Sequence, residues 1–368
     1  MSAFDLPLDE LRRFRPELRL PTGFADFWDR TLAELAEHPA DVRRTPEPVP
    51  LTTVDVDDVR FAGWGGQEVA AWLLRPAGAT GPLPCVVEFI GYGGGRGLPH
   101  ERLLWSSAGY AHLVVDTRGQ GSVWSTGVTA DSGYDGSPTA PGVMTRGLHD
   151  PHEHYYRRLY SDAVRAVEVA RSLPEVDADR VVAAGVSQGG GVALAVSGLV
   201  PGLAGVMADV PFLCSFRRAV DLVDTDPYAE IVRWCAAHRD AVETAFETLD
   251  HVDAVHLATR ATAPVLVSVA LRDETCPPST VFSAFNHYGG EAAETVDKEI
   301  RVWAANKHEG GGAHQQSEQL AWRVAHVGRG ADGSTGSDAG SGGDDEVRRS
   351  PAGPEDPPAT GDEVLNSA

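Results

Sequence analysis

The stretch AGVSQGGG at residues 184–191 holds a serine between glycines at the spacing G-x-S-x-G. A β-branched run, Val181 to Ala184, precedes it, and a helix-forming run, Gly190 to Val196, follows. Small residues two before and two after the serine let the chain turn sharply from strand into helix. That turn lifts the hydroxyl above the sheet edge, beside the unpaired N–H groups of a helix N-terminus. Ser187 is the candidate nucleophile for acyl transfer; the alternative is a glycine-rich turn with an incidental serine.

A serine hydroxyl attacks a carbonyl only when an imidazole takes its proton, and on such a sheet the order along the chain is serine, acid, histidine. Asp273, in VALRDETCPP, comes straight after the apolar run Pro264 to Ala270, and His308, in WAANKHEGGG, follows Ile300 to Trp303. Both therefore belong to loops at the carboxyl ends of strands. Asp209, in MADVPF, is the rival acid; otherwise it caps the first turn of the segment after it. His287 is a rival base at a helix end, where an imidazole meets the last carbonyls, and His314 is another, inside the final helix. Glu309 adjoins His308 and cannot orient the same ring, which leaves it a solvated or interface ion pair.

An oxyanion also needs a second donor besides the N–H that follows the nucleophile. The loop Gly91-Tyr92-Gly93-Gly94-Gly95 offers the N–H of Tyr92. No G-x-x-x-x-G-K-[ST] follows, so a phosphate cradle is the weaker reading. Arg118, in Arg118-Gly119-Gln120-Gly121, is read as a brace for loops around the site. His149, His152 and His154 lack the H-E-x-x-H pattern and are read as a solvated loop rather than a metal site.

The elements that must position these groups form an α/β pattern, a mainly parallel sheet flanked by helices. Strands are expected at Cys85 to Ile90, Ala111 to Asp116, Val181 to Ala184, Leu203 to Ala208, Val265 to Ala270 and Glu299 to Ala304. Tyr160 to Leu173 has helical period, with Ser161 or Asp162 as its cap. Gly23 to Glu37 is an amphipathic helix with Phe24, Phe27, Trp28, Leu32 and Leu35 on one side. Leu51 to Arg75 reads as a β-hairpin around Gly63-Trp64-Gly65-Gly66, adding antiparallel strands before the parallel core. Residues 212–262 are helical in character and too long for one crossover, which suits an inserted cap. One domain is expected over residues 1–327, its first 50 or so residues a helical extension, with a disordered Gly/Ser/Pro-rich acidic tail over 328–368.

The chain of 368 residues is 42% hydrophobic and carries a net charge of −22. That charge repels phosphate backbones and anionic lipid surfaces, so neither nucleic acid nor a membrane is an expected partner. No run of about 18 apolar residues is present. The opening segment lacks the apolar core of a secretory signal, which makes the cytoplasm the expected location. Cys85, Cys214, Cys235 and Cys276 form no CxxC pair and are read as free, mostly buried thiols.

With RGQG at 118–121, GVSQGG at 185–190 and HE at 308–309 in this order, the chain resembles carbohydrate esterase family seven. This is the acetyl xylan esterase and cephalosporin C deacetylase group of α/β-hydrolases. DFWDRTLAEL near the start and DETCPPSTVFSAFNHY around Asp273 support the resemblance, which spans about residues 5–327. It implies a Ser187, Asp273, His308 triad, an oxyanion hole of the Tyr92 and Gln188 N–H groups, and Arg118, Gly119, Gln120 and Glu309 as signature residues. It further implies deacetylation of short xylo-oligosaccharides and small acetate esters without cofactor or metal, by a cytoplasmic homo-oligomer, a hexamer. The tail and Thr275, where the family usually has an apolar residue, depart from its pattern. A serine peptidase or thioesterase on the same fold is the alternative.

Overall fold

The computed structural model describes residues 4–131 and 142–328, so the acidic tail lies outside the described residues. Nine strands form one sheet: β1 (Arg43–Pro46), β2 (Val54–Ala62), β3 (Glu68–Pro76), β4 (Leu83–Phe89), β5 (Ala111–Val115), β6 (Val176–Val186), β7 (Gly205–Asp209), β8 (Val265–Ala270) and β9 (Lys298–Trp303). Their spatial order is β1-β2-β3-β5-β4-β6-β7-β8-β9. From β5 to β9 neighbours are parallel, whereas β1, β2 and β3 join antiparallel. This is the expected α/β-hydrolase architecture. The hairpin turns at residues 63–66, with Ala62 opposite Glu68 and both Gly65 and Gly66 at positive φ.

Because helices cover both faces, the central strands are apolar along their whole length rather than alternating. Cys85, Val87 and Phe89 on β4 join the larger core with Trp28, Tyr156 and Tyr160. Val86 points the other way and packs with Trp105, Tyr110 and Trp322. The long helix runs Tyr155–Ser172, starting a turn and a half earlier than its period suggested. Its N-cap is His154, whose side chain accepts the N–H of Tyr156, so Ser161 and Asp162 are interior. That corrects the expected cap; both are buried in the body of the helix, and Asp162 serves as a counterion described below.

Residues 212–262 contain four α-helices, Phe216–Leu222, Tyr228–Ala237, Val242–Val252 and Ala254–Ala258, and a 3-10 turn at Arg239–Ala241. Only Asp226 and Pro227 of this segment line the cavity at Ser187. The last of these helices packs against the Gln188–Leu199 helix so closely that a Cβ on Gly198 would collide with the Leu257 carbonyl. Alanine is worth about 1 kcal/mol more than glycine inside a helix, yet overpacking against backbone costs about 1–3 kcal/mol. Gly198→Ala is thus expected to lower the thermal midpoint; a raised midpoint would show that the two helices can part cheaply.

Candidate active site

In the spatial order, β4 lies between β5 and β6, so the connections from β4 and from β6 diverge to opposite sides. A crevice opens at the carboxyl ends of strands where order reverses in this way. Ser187 follows β6 and the Gly91–Gly95 loop follows β4, which puts the serine and that loop on the two lips of that crevice.

Ser187 has φ 58° and ψ −118°, a conformation that L side chains rarely adopt. The flanking glycines make it possible. A Cβ on Gly185 would strike the backbone of Gly189, and a Cβ on Gly189 would strike the Phe89 carbonyl. Backbone bonds hold the turn: Ser187 N–H donates to the Asp209 carbonyl at 2.9 Å, and Phe212 N–H donates to the Ser187 carbonyl at 2.9 Å.

His308 Nε2 lies 3.0 Å from Ser187 Oγ, and its Nδ1 lies 2.8 Å from Asp273 Oδ2. Asp273 is fully buried, and its Oδ1 accepts the N–H groups of Thr275 and Cys276 at 2.8 and 2.9 Å. One carboxylate oxygen is thereby fixed by backbone and the other is aimed at the imidazole. Thr275 contributes its backbone N–H to this arrangement and lines the cavity beside Ser187. Glu309 accepts Asn306 Nδ2 at 2.7 Å and the Lys307 N–H at 3.0 Å, closing the turn that presents His308.

Tyr92 lines the cavity at Ser187, and Gln188 opens the helix that follows the serine. Gln188 is the first residue of its helix, so its N–H has no acceptor one turn back. Two buried amides tie the lips together. Gln188 Nε2 donates to the Ile90 carbonyl at 3.0 Å, and its Oε1 accepts Gln120 Nε2 at 2.9 Å. Gln120 Oε1 accepts the Gly93 N–H at 2.6 Å, so Tyr92 is pinned from both sides. The Tyr92 hydroxyl donates to Glu230 Oε1 at 2.7 Å, and Trp124 Nε1 donates to the Tyr92 carbonyl at 2.8 Å.

Arg118 is fully buried, with Nε and Nη2 donating to the two oxygens of Asp162 at 2.7 and 2.8 Å. Its Nη1 reaches Asp131 at 3.3 Å, and Asp162 also accepts the Trp64 N–H at 2.8 Å. Arg118 therefore links the hairpin turn to the long helix. Gly119 at φ 62° and Gly121 at φ 104° let the chain double back after it.

The rivals lie elsewhere. His314 sits on the Gly312–His326 helix against Trp303, and His287 Nε2 lies 2.8 Å from the Pro16 carbonyl. His154 is buried, not solvated, and burial lowers its pKa to about 4; His149 packs edge-on against Trp234. Asp209 points to the opposite face of the sheet and caps nothing. Its oxygens accept Gln315 Nε2 and Gln319 Nε2 at 2.8 and 2.7 Å.

Three contributors carried no sequence signal: Glu230 and Trp124, which anchor Tyr92, and Cys276, whose sulfur lies within 4.8 Å of donor atoms of Asp273 and His308. Asp273, Cys276 and His308 are one of two groupings among the described residues with the proximity to hold a metal ion, the other being Asp297, Glu299 and His326. The first grouping is occupied by the hydrogen-bonded relay itself.

Two substitutions probe this frame. Arg118→Met strands the buried Asp162 charge and is expected to cost about 3–5 kcal/mol in denaturant unfolding. The Asp209 carboxyl is pushed up to about 7, burial outweighing the hydrogen bonds from Ser268, Gln315 and Gln319. An ordinary aspartate titrates near about 3.9 when unfolded, so the folded state holds an extra proton between these values. Its contribution is fully present below about 3.9 and is lost as pH rises through about 7. Asp209→Asn is expected to reduce the fall in thermal midpoint between pH 5 and pH 8; an unchanged slope would place the titration elsewhere.

The family model described as acetyl xylan esterase (AXE1) matches residues 1–326. The solved acetyl xylan esterase from a Paenibacillus species superposes with a TM-score of 0.80 at 36% identity, covering 88% of this chain and 100% of that one. Acetyl xylan esterase 1 from a Thermoanaerobacterium species gives 0.77 at 30% identity, over 87% and 99% of the two chains. Acetyl esterase Axe7A from Xylanibacter ruminicola is 25% identical over 311 residues, which is 80% of this chain but 65% of that relative's length. On a match across almost the whole described chain, this protein belongs to the acetyl xylan esterase family.

Proposed function

We propose that the protein is a serine esterase that removes acetyl groups from acetylated xylo-oligosaccharides and other small acetate esters such as cephalosporin C. The observation that carries this is the Asp273–His308–Ser187 relay, at 2.8 and 3.0 Å, opening onto a cavity of about 450 Å³. Phe89, Ile90, Val123, Trp124 and Val186 give that cavity apolar walls, suited to a small acyl group.

In the first half-reaction His308 Nε2 takes the Ser187 proton as Oγ bonds to the acetyl carbon and the carbonyl electrons move onto oxygen. Asp273 holds the ring and stabilises its positive charge. The tetrahedral oxyanion rests on the N–H groups of Tyr92 and Gln188, each such donor being worth roughly 3 kcal/mol. Collapse breaks the bond to the sugar oxygen, which takes the proton from His308. Water, deprotonated by the same imidazole, then attacks the acetyl enzyme and releases acetate. On the family resemblance we also propose a cytoplasmic homo-oligomer, a hexamer.

Ser187→Ala is expected to lower kcat for acetate release from acetylated xylo-oligosaccharide by about 10⁶-fold, as loss of a serine nucleophile does in related relays. Retention of more than a few per cent of activity would remove Ser187 from the role. Faster turnover of peptides or long-chain thioesters than of acetate esters would favour a peptidase or thioesterase on the same fold.

A further inference from the structure

The loops around Ser187 come from separate strand ends, yet one short stretch, residues 225–230, touches them in turn. Thr225 Oγ1 donates to the Glu274 carbonyl at 2.6 Å, next to Asp273. Asp226 and Pro227 then line the cavity at Ser187. Tyr228 packs edge-on against Phe212, with ring centroids 4.4 Å apart, and the Phe212 N–H holds the Ser187 carbonyl. Beyond it, Glu230 reaches the Gly91–Gly95 loop by accepting the Tyr92 hydroxyl at 2.7 Å. The Ala229 N–H donates to the Thr225 carbonyl at 3.0 Å, which bonds the start of the stretch to the Tyr228–Ala237 helix.

Glu230 commits a carboxylate that is only 9% exposed to this link. Its second oxygen accepts the Met144 N–H at 3.3 Å, and burial raises its pKa against the pull of the two hydrogen bonds. A charge at such depth is costly, but it strengthens the bonds that it accepts. The Tyr92 hydroxyl oxygen in turn accepts the N–H groups of Gly142 and Val143, each at 3.0 Å. The Gly94 N–H donates to the Gly91 carbonyl at 3.1 Å, which makes residues 91–94 a tight turn that shifts as a unit. Gln120 and Trp124 hold that turn by its backbone, whereas Glu230 holds it by the Tyr92 side chain. Without the side-chain hold the turn can rock about its backbone bonds, and a donor displaced by about 1 Å is worth far less to a developing oxyanion. We propose that Glu230 is a positioning residue for the oxyanion hole, acting on the chemical step through Tyr92, with the stretch 225–230 keeping that donor in register with Ser187 and the Asp273 loop. The inference rests on the esterase reading above and adds to it a determinant of kcat outside the cavity, since Glu230 does not line the cavity at Ser187.

The test measures kcat and KM for p-nitrophenyl acetate on the full chain, together with inhibition by trifluoroacetone, whose adduct with Ser187 is a tetrahedral oxyanion. The variants are Glu230→Ala, Glu230→Gln, Tyr92→Phe and the double variant of Glu230→Ala with Tyr92→Phe. Glu230→Ala is expected to lower kcat about tenfold and to weaken trifluoroacetone by about the same factor, with KM changed by less than about twofold. Glu230→Gln keeps the size but offers one acceptor oxygen to two donors, so a smaller fall in kcat is expected, and it carries the test if the alanine variant folds poorly. Because Glu230 acts through the Tyr92 hydroxyl, the double variant is expected to be no slower than Tyr92→Phe alone. Unchanged kcat and inhibition in both Glu230 variants, losses that multiply in the double variant, or a loss confined to KM would overturn the positioning role while leaving the esterase reading standing. A Ser187→Ala variant that keeps its activity would instead overturn the esterase reading, and the positioning role with it.

Discussion

The positive φ of Ser187 is the constraint around which the rest is organised. A non-glycine residue in such a conformation costs about 1–3 kcal/mol and persists only where its surroundings over-determine it. Here they do. Gly185 and Gly189 sit so close to each other and to Phe89 that no side chain fits at either position. The Asp209 carbonyl and the Phe212 N–H then close the turn from the neighbouring strand. The same geometry sets the start of the Gln188–Leu199 helix, and with it the direction of the N–H groups beside the hydroxyl.

The crevice has a second lip, and its position is decided by buried amides rather than by charge. Gln188 and Gln120 bond to each other and to opposite ends of the loop that carries Tyr92. Neutral amides suit this task because each offers both a donor and an acceptor at low desolvation cost. The charged brace lies one layer further out, where Arg118 and Asp162 compensate each other in full burial. A buried pair of this kind contributes little net stability, yet removing one partner leaves the other charge uncompensated.

The two faces of the sheet divide the remaining work. The larger core, with the Phe24–Ala36, Tyr155–Ser172 and Gln188–Leu199 helices, supports the crevice from one side. The smaller cluster around Trp105 and Trp322 packs on the other. Residues at the strand ends therefore face two different surroundings. Asp209 shows the consequence: its carbonyl holds the Ser187 turn, while its side chain turns away and meets glutamines of the final helix.

The sheet, the hairpin, the serine turn and the order Ser187, Asp273, His308 were legible in the sequence because each depends on local pattern. Strand-length apolar runs, glycine spacing and loop position after a strand are properties of a few neighbouring residues. Capping of the long helix was misread because Asp162 has the right type for a cap. Only the approach of Arg118 from 44 positions away makes it a counterion. For the same reason the buried state of His154, the side on which Asp209 points, and the anchoring of Tyr92 by Glu230 and Trp124 had no local signature. The sequence by itself determined which residues have the chemistry and which strand ends carry them. Tertiary structure alone decided which groups meet, because distances across a crevice are set by packing between elements far apart along the chain.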